Sequence, residues 1–113
     1  MAEQSEELFR AASAAHVAGK LPDAKRLATQ ALELDPENPQ ILLLLGVLNG
    51  KTNDLPEAFK YFEKALSIDP SVFEALFWLS MLYRRQKDLN KALEFAEKAL
   101  ALRPNDAYAN NNL

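Results

Sequence analysis

The segment LPEAFKYFEKALSIDP, residues 55–70, decides the fold because it is one of three related copies at a fixed spacing. The other copies are LPDAKRLATQALELDP at residues 21–36 and LNKALEFAEKALALRP at residues 89–104, so successive copies begin 34 residues apart. All three share a leucine at the first position, alanines at the fourth and eleventh, a leucine at the twelfth and a proline at the end. A period of this length is typical of repeat proteins, in which neighbouring units stack on each other.

Each period contains two segments that are long enough to form helices. In the middle period they are PQILLLLGVLNGKT, residues 39–52, and the first fourteen residues of the repeated segment, 55–68. A short polar turn, Asn53 and Asp54, separates them, and Pro70 ends the second one because proline lacks a donor and clashes with the preceding turn. Helices joined by such short turns pack as antiparallel neighbours, and each pair needs the next pair to bury its apolar face.

The residues in each period resemble the tetratricopeptide repeat, which places a large residue, Leu-Gly, an aromatic, Ala, a large aromatic, Ala and Pro within about 34 residues. The middle copy carries this pattern at Leu42, Leu45, Gly46, Asn49, Ala58, Phe62, Ala65 and Pro70. The third carries it at Leu76, Leu79, Ser80, Tyr83, Ala92, Ala96, Ala99 and Pro104, and the first at Leu8, Ala11, Ala12, Ala15, Ala24, Ala28, Ala31 and Pro36. The departures from the pattern are expected to loosen local packing without changing the fold; they are Ala15, Asn49, Ala28 and Ala96.

The resemblance implies the fold class: all-α, a tetratricopeptide-repeat right-handed superhelix (α-solenoid) of antiparallel helix pairs. It implies one domain over residues 1–113, with repeats at about 5–38, 39–72 and 73–106 and a partial capping helix at 107–113. In this family the first helix of each pair lines a concave groove. Gly46 is then expected where two helices approach closely.

The run ILLLLGVL, residues 41–48, raises the question of what covers a helix that is apolar nearly all round. It is too short to cross a membrane, which takes about 20 apolar residues, so no membrane insertion is expected. The resemblance gives scaffold roles to Leu42, Leu45, Gly46 and Leu48, and it directs the remaining positions towards the groove. With their counterparts in the other repeats, the predicted groove residues are Phe9, Leu43, Leu44, Val47, Phe77, Trp78 and Met81. An apolar patch of this size commonly marks an interaction site, although packing between first helices is the alternative.

One turn further along each first helix the residues become basic: His16, Lys51, Arg84 and Arg85. They predict a basic border that would suit an acidic residue or a C-terminal carboxylate, with a solvated rim as the alternative. Some tetratricopeptide domains clamp the C-terminal carboxylate of heat-shock chaperones with a Lys, Asn, Asn, Lys and Arg set. The matching positions here hold Phe9, Ser13, Leu44, Glu74 and Trp78, none of which carries the needed group. Chaperone-tail clamping is therefore not expected, and an apolar or amphipathic segment is the expected ligand.

Composition and motifs argue against several other functions. The net charge is −3 and the sequence pI about 5.1, without the basic balance of a nucleic-acid binder. The chain has no cysteine for disulfides, thiolate catalysis or zinc. The single histidine, His16, lies near Ser13, but nothing in the pattern supplies an orienting carboxylate or an oxyanion hole. No metal-ligand cluster or phosphate-binding loop occurs, so neither an enzyme nor a cofactor is expected.

The expected function is a non-catalytic protein–protein interaction module that binds a peptide or partner segment in its groove, oriented by Lys51, Arg84 and Arg85. A homo-oligomerising scaffold is an alternative, since the thin C-terminal cap is expected to leave Leu93, Ala96 and Leu100 partly uncovered. A regulatory or targeting segment of a larger protein is another. The N-terminus lacks the features of a signal peptide, which makes the cytoplasm the default expectation.

Overall fold

The computed structural model describes residues 2–104, which form six α-helices and no strand. The helices are α1 (Ala2–Val17), α2 (Leu21–Leu34), α3 (Pro39–Lys51), α4 (Leu55–Ile68), α5 (Phe73–Arg85) and α6 (Leu89–Leu102). In the middle repeat both helices begin at the predicted residues, and α3 ends one residue before its predicted end. The predicted capping helix at 107–113 lies outside the described residues.

Four of the helices, α2, α3, α4 and α6, begin at residues that suit helix N-termini. Proline occupies the first turn of three of them, where its missing N–H would have no partner in any case, at Pro22, Pro39 and Pro56. The side chain of Asn38 accepts a hydrogen bond from the Gln40 N–H at 2.9 Å, and that of Asp88 accepts one from the Lys91 N–H at 3.2 Å. Such caps satisfy donors that the helix itself leaves open, and they fix where α3 and α6 start.

Within each repeat the chain reverses through a three-residue turn whose middle residue is left-handed. The φ angle is 79° at Gly19, 63° at Asn53 and 65° at Lys87. The next residue closes the turn by donating its N–H five residues back, for example from Asp54 to the Asn49 carbonyl at 2.8 Å. Glycine adopts this conformation freely and asparagine tolerates it, whereas lysine costs roughly 1 kcal/mol there.

Neighbouring helices make the contacts that hold the fold together. The helices of each pair pack together, α1 with α2, α3 with α4 and α5 with α6, and the second helix of one pair packs on the first helix of the next. The first helices also contact each other, α1 with α3 and α3 with α5. Connections of three or four residues make each helix antiparallel to the next one, so α1, α3 and α5 run in the same direction.

Small residues allow the two helices of a pair to approach closely. The repeated alanines are buried, and so is the aromatic ring of Phe62 in α4. A Cβ atom added to Gly46 would lie 2.5 Å from Cε1 of Phe62, a distance that no real contact shows. The predicted close approach at Gly46 is therefore confirmed, and the partner that requires it is Phe62.

Two departures from the repeat pattern do not leave gaps. Asn49, at the aromatic position, is buried, and its side-chain amide donates to the Leu45 carbonyl at 2.8 Å. Ala96, at the bulky position, is only 1% exposed, so the prediction that it would be partly uncovered is wrong. Leu93, three residues earlier on α6, is 43% exposed, as expected.

Candidate functional site

The three first helices carry a set of half-buried apolar side chains at the predicted groove positions. Residues four apart share one face of a helix, and on this face each helix presents one or two such residues. We call this set the inner floor, and its members are Phe9, Leu43, Val47, Phe77 and Met81. All five belong to the predicted groove. Because α3 contacts both α1 and α5, the structure brings these residues onto neighbouring helices.

Trp78 lies at the seam between the second and third repeats. Its indole stacks on the ring of Phe62 with centroids 5.9 Å apart and an interplanar angle of 20°. On its other side it approaches α3, where a Cβ added to Gly50 would lie 3.2 Å from Cζ3 of the indole. Trp78 on α5 therefore packs against the middle pair, and its side chain remains half-buried.

The structure places Leu44 differently from the remaining predicted groove residues. Its side chain is only 8% exposed and belongs to the core cluster that includes Ala12, Ile41 and Leu45. This cluster joins the first two repeats. Leu44 therefore packs in the interior and offers almost no surface to a partner. The repeat pattern predicted an exposed position, but neighbouring helices cover α3 on more sides than the pattern indicates.

The basic border lies in the last turns of the first helices. The Nζ atom of Lys51 in α3 lies 2.7 Å from Nε2 of His16 in α1. Burial, and secondly the charge of Lys51, lower the pKa of His16 from its ordinary value of 6.5. Arg84 and Arg85 are exposed in the last turn of α5. Cations at these positions also complement the negative end of each helix dipole.

The opposite end of the inner floor is polar and partly acidic. A shallow cavity of about 140 Å³ opens between α1 and the start of α3, lined by Ser5, Glu6, Phe9, Arg10, Asn38 and Ile41. At the start of α5, Glu74 forms an ion pair with Arg103 at 3.7 Å. The guanidinium of Arg103 in turn lies 4.1 Å from the ring centroid of Phe73. The floor therefore runs from a basic border to an end that carries carboxylates.

The sequence interpretation missed the direct contact between His16 and Lys51. It assigned both residues to the basic border from their helix positions. These positions are not strictly equivalent, since Lys51 lies 35 residues after His16 and the repeat period is 34. This one-residue offset turns the lysine towards the neighbouring helix, and only the packing of α1 against α3 shows it.

The described residues contain no evident site for metal chemistry. Across positions 2–104, no group of three or more His, Cys, Asp or Glu side chains is arranged to hold a metal ion. Over the same range, no helix combines the length and apolar character needed to cross a membrane. What the arrangement offers is an apolar surface between two polar ends.

Comparison with known proteins identifies close structural relatives. Tetratricopeptide repeat family models match residues 9–72 and 73–106. The first TPR of Spaghetti (RPAP3), bound to the HSP90 peptide SRMEEVD, aligns with a TM-score of 0.93 and 21% identity over 98% of this chain and 88% of that one. The Arabidopsis OM64 TPR domain aligns with a TM-score of 0.93 and 20% identity, covering 97% of this chain and 91% of that one.

The Sgt2 TPR domain from Aspergillus fumigatus is a further structural relative. It aligns with a TM-score of 0.87 and 25% identity over 96% of this chain and 74% of that one. A search of curated protein sequences gave no significant match. Likeness at such identities establishes the fold, and the partner has to be argued from the surface of this chain.

Proposed function

The chain belongs to the tetratricopeptide repeat family, and from this premise we propose that it is a non-catalytic protein-interaction module that binds an apolar or amphipathic partner segment on its inner floor. One observation carries the proposal. The inner floor places five half-buried apolar side chains on three adjacent parallel helices, and polar residues flank it at both ends. Apolar surface with a polar rim is typical of a binding groove.

Binding would work by burying partner side chains against the inner floor and the half-buried Trp78. Burial of roughly 400 Å² of apolar area at about 25 cal/mol per Å² contributes about 10 kcal/mol before other terms. Association and ordering costs remove much of this, which leaves an affinity in the micromolar range. Trp and Met are favoured at such surfaces, since one is a large rigid anchor and the other adapts its shape.

We further propose that a chaperone C-terminal tail is not the ligand, although the related Spaghetti domain binds an HSP90 peptide. Of the five positions that would form the carboxylate clamp, Leu44 is buried in the core and Glu74 is an acid paired with Arg103. Phe9 and Trp78 are apolar, and Ser13 carries no charge. These side chains favour an apolar segment over a carboxylate at the same place.

The test is selection of peptides from a random display library on the wild-type protein, followed by affinity measurement on two variants. Val47→Glu introduces a charge into the inner floor, whereas Leu34→Glu introduces the same charge at a 42% exposed leucine of α2, outside the floor. Circular dichroism establishes that both variants fold. We expect at least a tenfold loss of affinity for Val47→Glu and little change for Leu34→Glu. Equal binding by all three proteins, or selection of no peptide, would overturn the proposal.

A second candidate, self-association, is favoured by the outward face of α6. Leu89 is 65% exposed, whereas the equivalent Leu21 and Leu55 are half-buried because a following repeat covers them. The opposite end of the solenoid is more polar: Glu7 is exposed where Ile41 is buried in the next repeat. A symmetric contact between two α6 faces therefore fits better than head-to-tail stacking.

Light scattering with in-line size exclusion over a hundredfold concentration range tests the second candidate. Self-association through α6 predicts a concentration-dependent dimer that Leu93→Lys abolishes and Val47→Glu leaves intact. A mass that stays at 12.6 kDa throughout would exclude it.

A further inference from the structure

The contact between Lys51 and His16 is an unusual use of a lysine in this molecule. An ammonium group has donors and no acceptor, so at 2.7 Å it must donate to an unprotonated Nε2 of a neutral imidazole. Four other cations of the described residues pair with carboxylates, as Lys60 does with Glu57 at 3.0 Å. The two residues come from different helices, so the contact is fixed by the packing of α1 on α3 and not by local sequence.

No carboxylate accompanies this pair within the part of the chain that the structure describes. The ion pairs found there join Arg26, Lys60, Lys98 and Arg103 to acids, and none includes His16 or Lys51. Of the helices packed against α1, α3 presents Lys51 to the imidazole, while α2 presents no charged group that shifts its pKa. The border of the inner floor thus brings together a fixed positive charge and a second group that becomes positive on protonation.

We infer that His16 and Lys51 form a carboxylate-binding site, which takes an acidic side chain or the C-terminal carboxylate of the apolar segment on the inner floor. The inference rests on the proposed function. The ammonium of Lys51 turns from the imidazole to one carboxylate oxygen, and Nε2 of His16 takes a proton from solvent and donates it in a hydrogen bond to the other. Neither residue belongs to the five clamp positions, so these donors lie elsewhere in the groove.

Such a site would couple ligand binding to protonation. In the free protein the pKa of His16 lies below its ordinary value, first because burial disfavours the charged imidazolium and secondly because the neighbouring ammonium of Lys51 repels it. A bound carboxylate offsets that repulsion and raises the pKa of His16. By linkage, affinity for a carboxylate-bearing segment rises as the pH falls through the pKa of the bound state and levels off below that of the free state. A segment without a carboxylate shows no such dependence.

Three short peptides serve as probes, all with the same apolar residues. The first is acetyl-Leu-Ala-Leu-Glu-amide, with a side-chain carboxylate; the second is acetyl-Leu-Ala-Leu-Gln with a free C-terminus; the third, acetyl-Leu-Ala-Leu-Gln-amide, is neutral. The chain has one histidine, so its imidazole resonances in an NMR pH titration report on His16 alone. The methyl resonances of Leu43, Val47 and Met81 report separately on the inner floor. Lys51→Met removes the fixed charge, and Lys64→Met, on the exposed face of α4, is the matched control.

We expect all three peptides to shift the floor methyls and the acidic ones alone to raise the pKa of His16. The peptide that raises the pKa of His16 more shows whether the site prefers a side-chain carboxylate or a C-terminal one. Lys51→Met should weaken the acidic peptides about threefold to fivefold and leave the neutral one unchanged, whereas Lys64→Met should bind all three peptides as the wild type does.

The outcomes separate this inference from the proposed function. Methyl shifts without a change in the pKa of His16 would overturn the carboxylate site and leave the groove standing. A raised pKa without methyl shifts would support the site and overturn binding on the floor. If none of the peptides changes either signal at millimolar concentration, both ideas fail.

Discussion

The middle repeat and its two neighbours solve the same packing problem in different ways. In the middle repeat Gly46 of α3 faces the ring of Phe62, so at this position the space between α3 and α4 is filled from the second helix. The equivalent pairs are Ala12 with Ala28 in the first repeat and Ser80 with Ala96 in the third, all of them buried. A glycine on the first helix thus accompanies a large ring on the second, whereas two small residues share the space elsewhere. How closely the two helices of a repeat pack therefore depends on both residues together and not on either one alone.

The substitution expected to destabilise the protein most is Phe62→Ala. It gives α4 the alanine that the neighbouring repeats have at this position, but leaves Gly46 on α3 where they have alanine or serine. The ring is fully buried, so its removal leaves a cavity that Gly46 cannot fill. We expect a loss of about 3–5 kcal/mol in the free energy of unfolding, measured by urea denaturation. Glu63→Ala, an exposed neighbour, should stay within about 0.5 kcal/mol of wild type. A small effect of Phe62→Ala would mean that α3 and α4 close the gap by themselves.

Gly46→Ala should cost less, about 1–3 kcal/mol, because the new methyl group collides with a ring that has little room to move. The sign is informative, since the same substitution in an unobstructed helix stabilises by roughly 1 kcal/mol. In the Phe62→Ala background the collision is gone and the pair matches that of the first repeat. Gly46→Ala should then be stabilising, and a double-mutant cycle measures the difference. If Gly46→Ala changes the free energy of unfolding equally in the wild type and in Phe62→Ala, the two positions do not determine the packing jointly.

Most of this architecture could be predicted from the sequence, because each repeat has the same kinds of residues at the same spacing. Short turns, prolines and small residues at fixed spacing predicted the helix pairs, and Gly46 was predicted at a close contact. The burial of Leu44 and Ala96 was not predicted, because a repeat pattern gives the direction of a side chain and not the amount of neighbouring chain that covers it. The stacking of Trp78 on Phe62 and the contact of His16 with Lys51 both cross between repeats, where local spacing carries little information.

Gly50→Ala sharpens the comparison within a single helix. It lies four residues after Gly46, but its added Cβ would meet the half-buried Trp78 at 3.2 Å and not a fully enclosed ring. A small shift of the indole relieves this contact, and the gain in helix propensity of up to about 1 kcal/mol offsets the remainder. We expect a change in unfolding free energy within about 1 kcal/mol, together with a shift in the fluorescence of Trp78, the single tryptophan. A loss as large as that for Gly46→Ala would show that the indole is held as firmly as Phe62.

The smallest effect concerns the seam between the first and middle repeats, where His16 contacts Lys51. Folding lowers the pKa of His16, mainly through burial and then through Lys51, so the folded state disfavours its protonation. The contribution to stability is therefore present above the ordinary value of 6.5 and is lost as the pH falls through the lowered pKa. Stability of the wild type relative to His16→Gln should fall slightly between pH 7 and pH 5. A relative stability that rises over this interval would contradict the direction given for the pKa.

The left-handed residues at Gly19, Asn53 and Lys87 have a mechanical consequence. The helices are stiff rods connected in series, and each of these residues is a joint at which one backbone rotation sets the direction of everything that follows. A rotation at Lys87 would swing α6 alone, whereas the same rotation at Asn53 would also carry α5 and with it Phe77 and Met81. The curvature of the inner floor is therefore most sensitive to the joint at Gly19, because both α3 and α5 lie beyond it. The deflection of a jointed arm depends most on the joint with the longest arm beyond it.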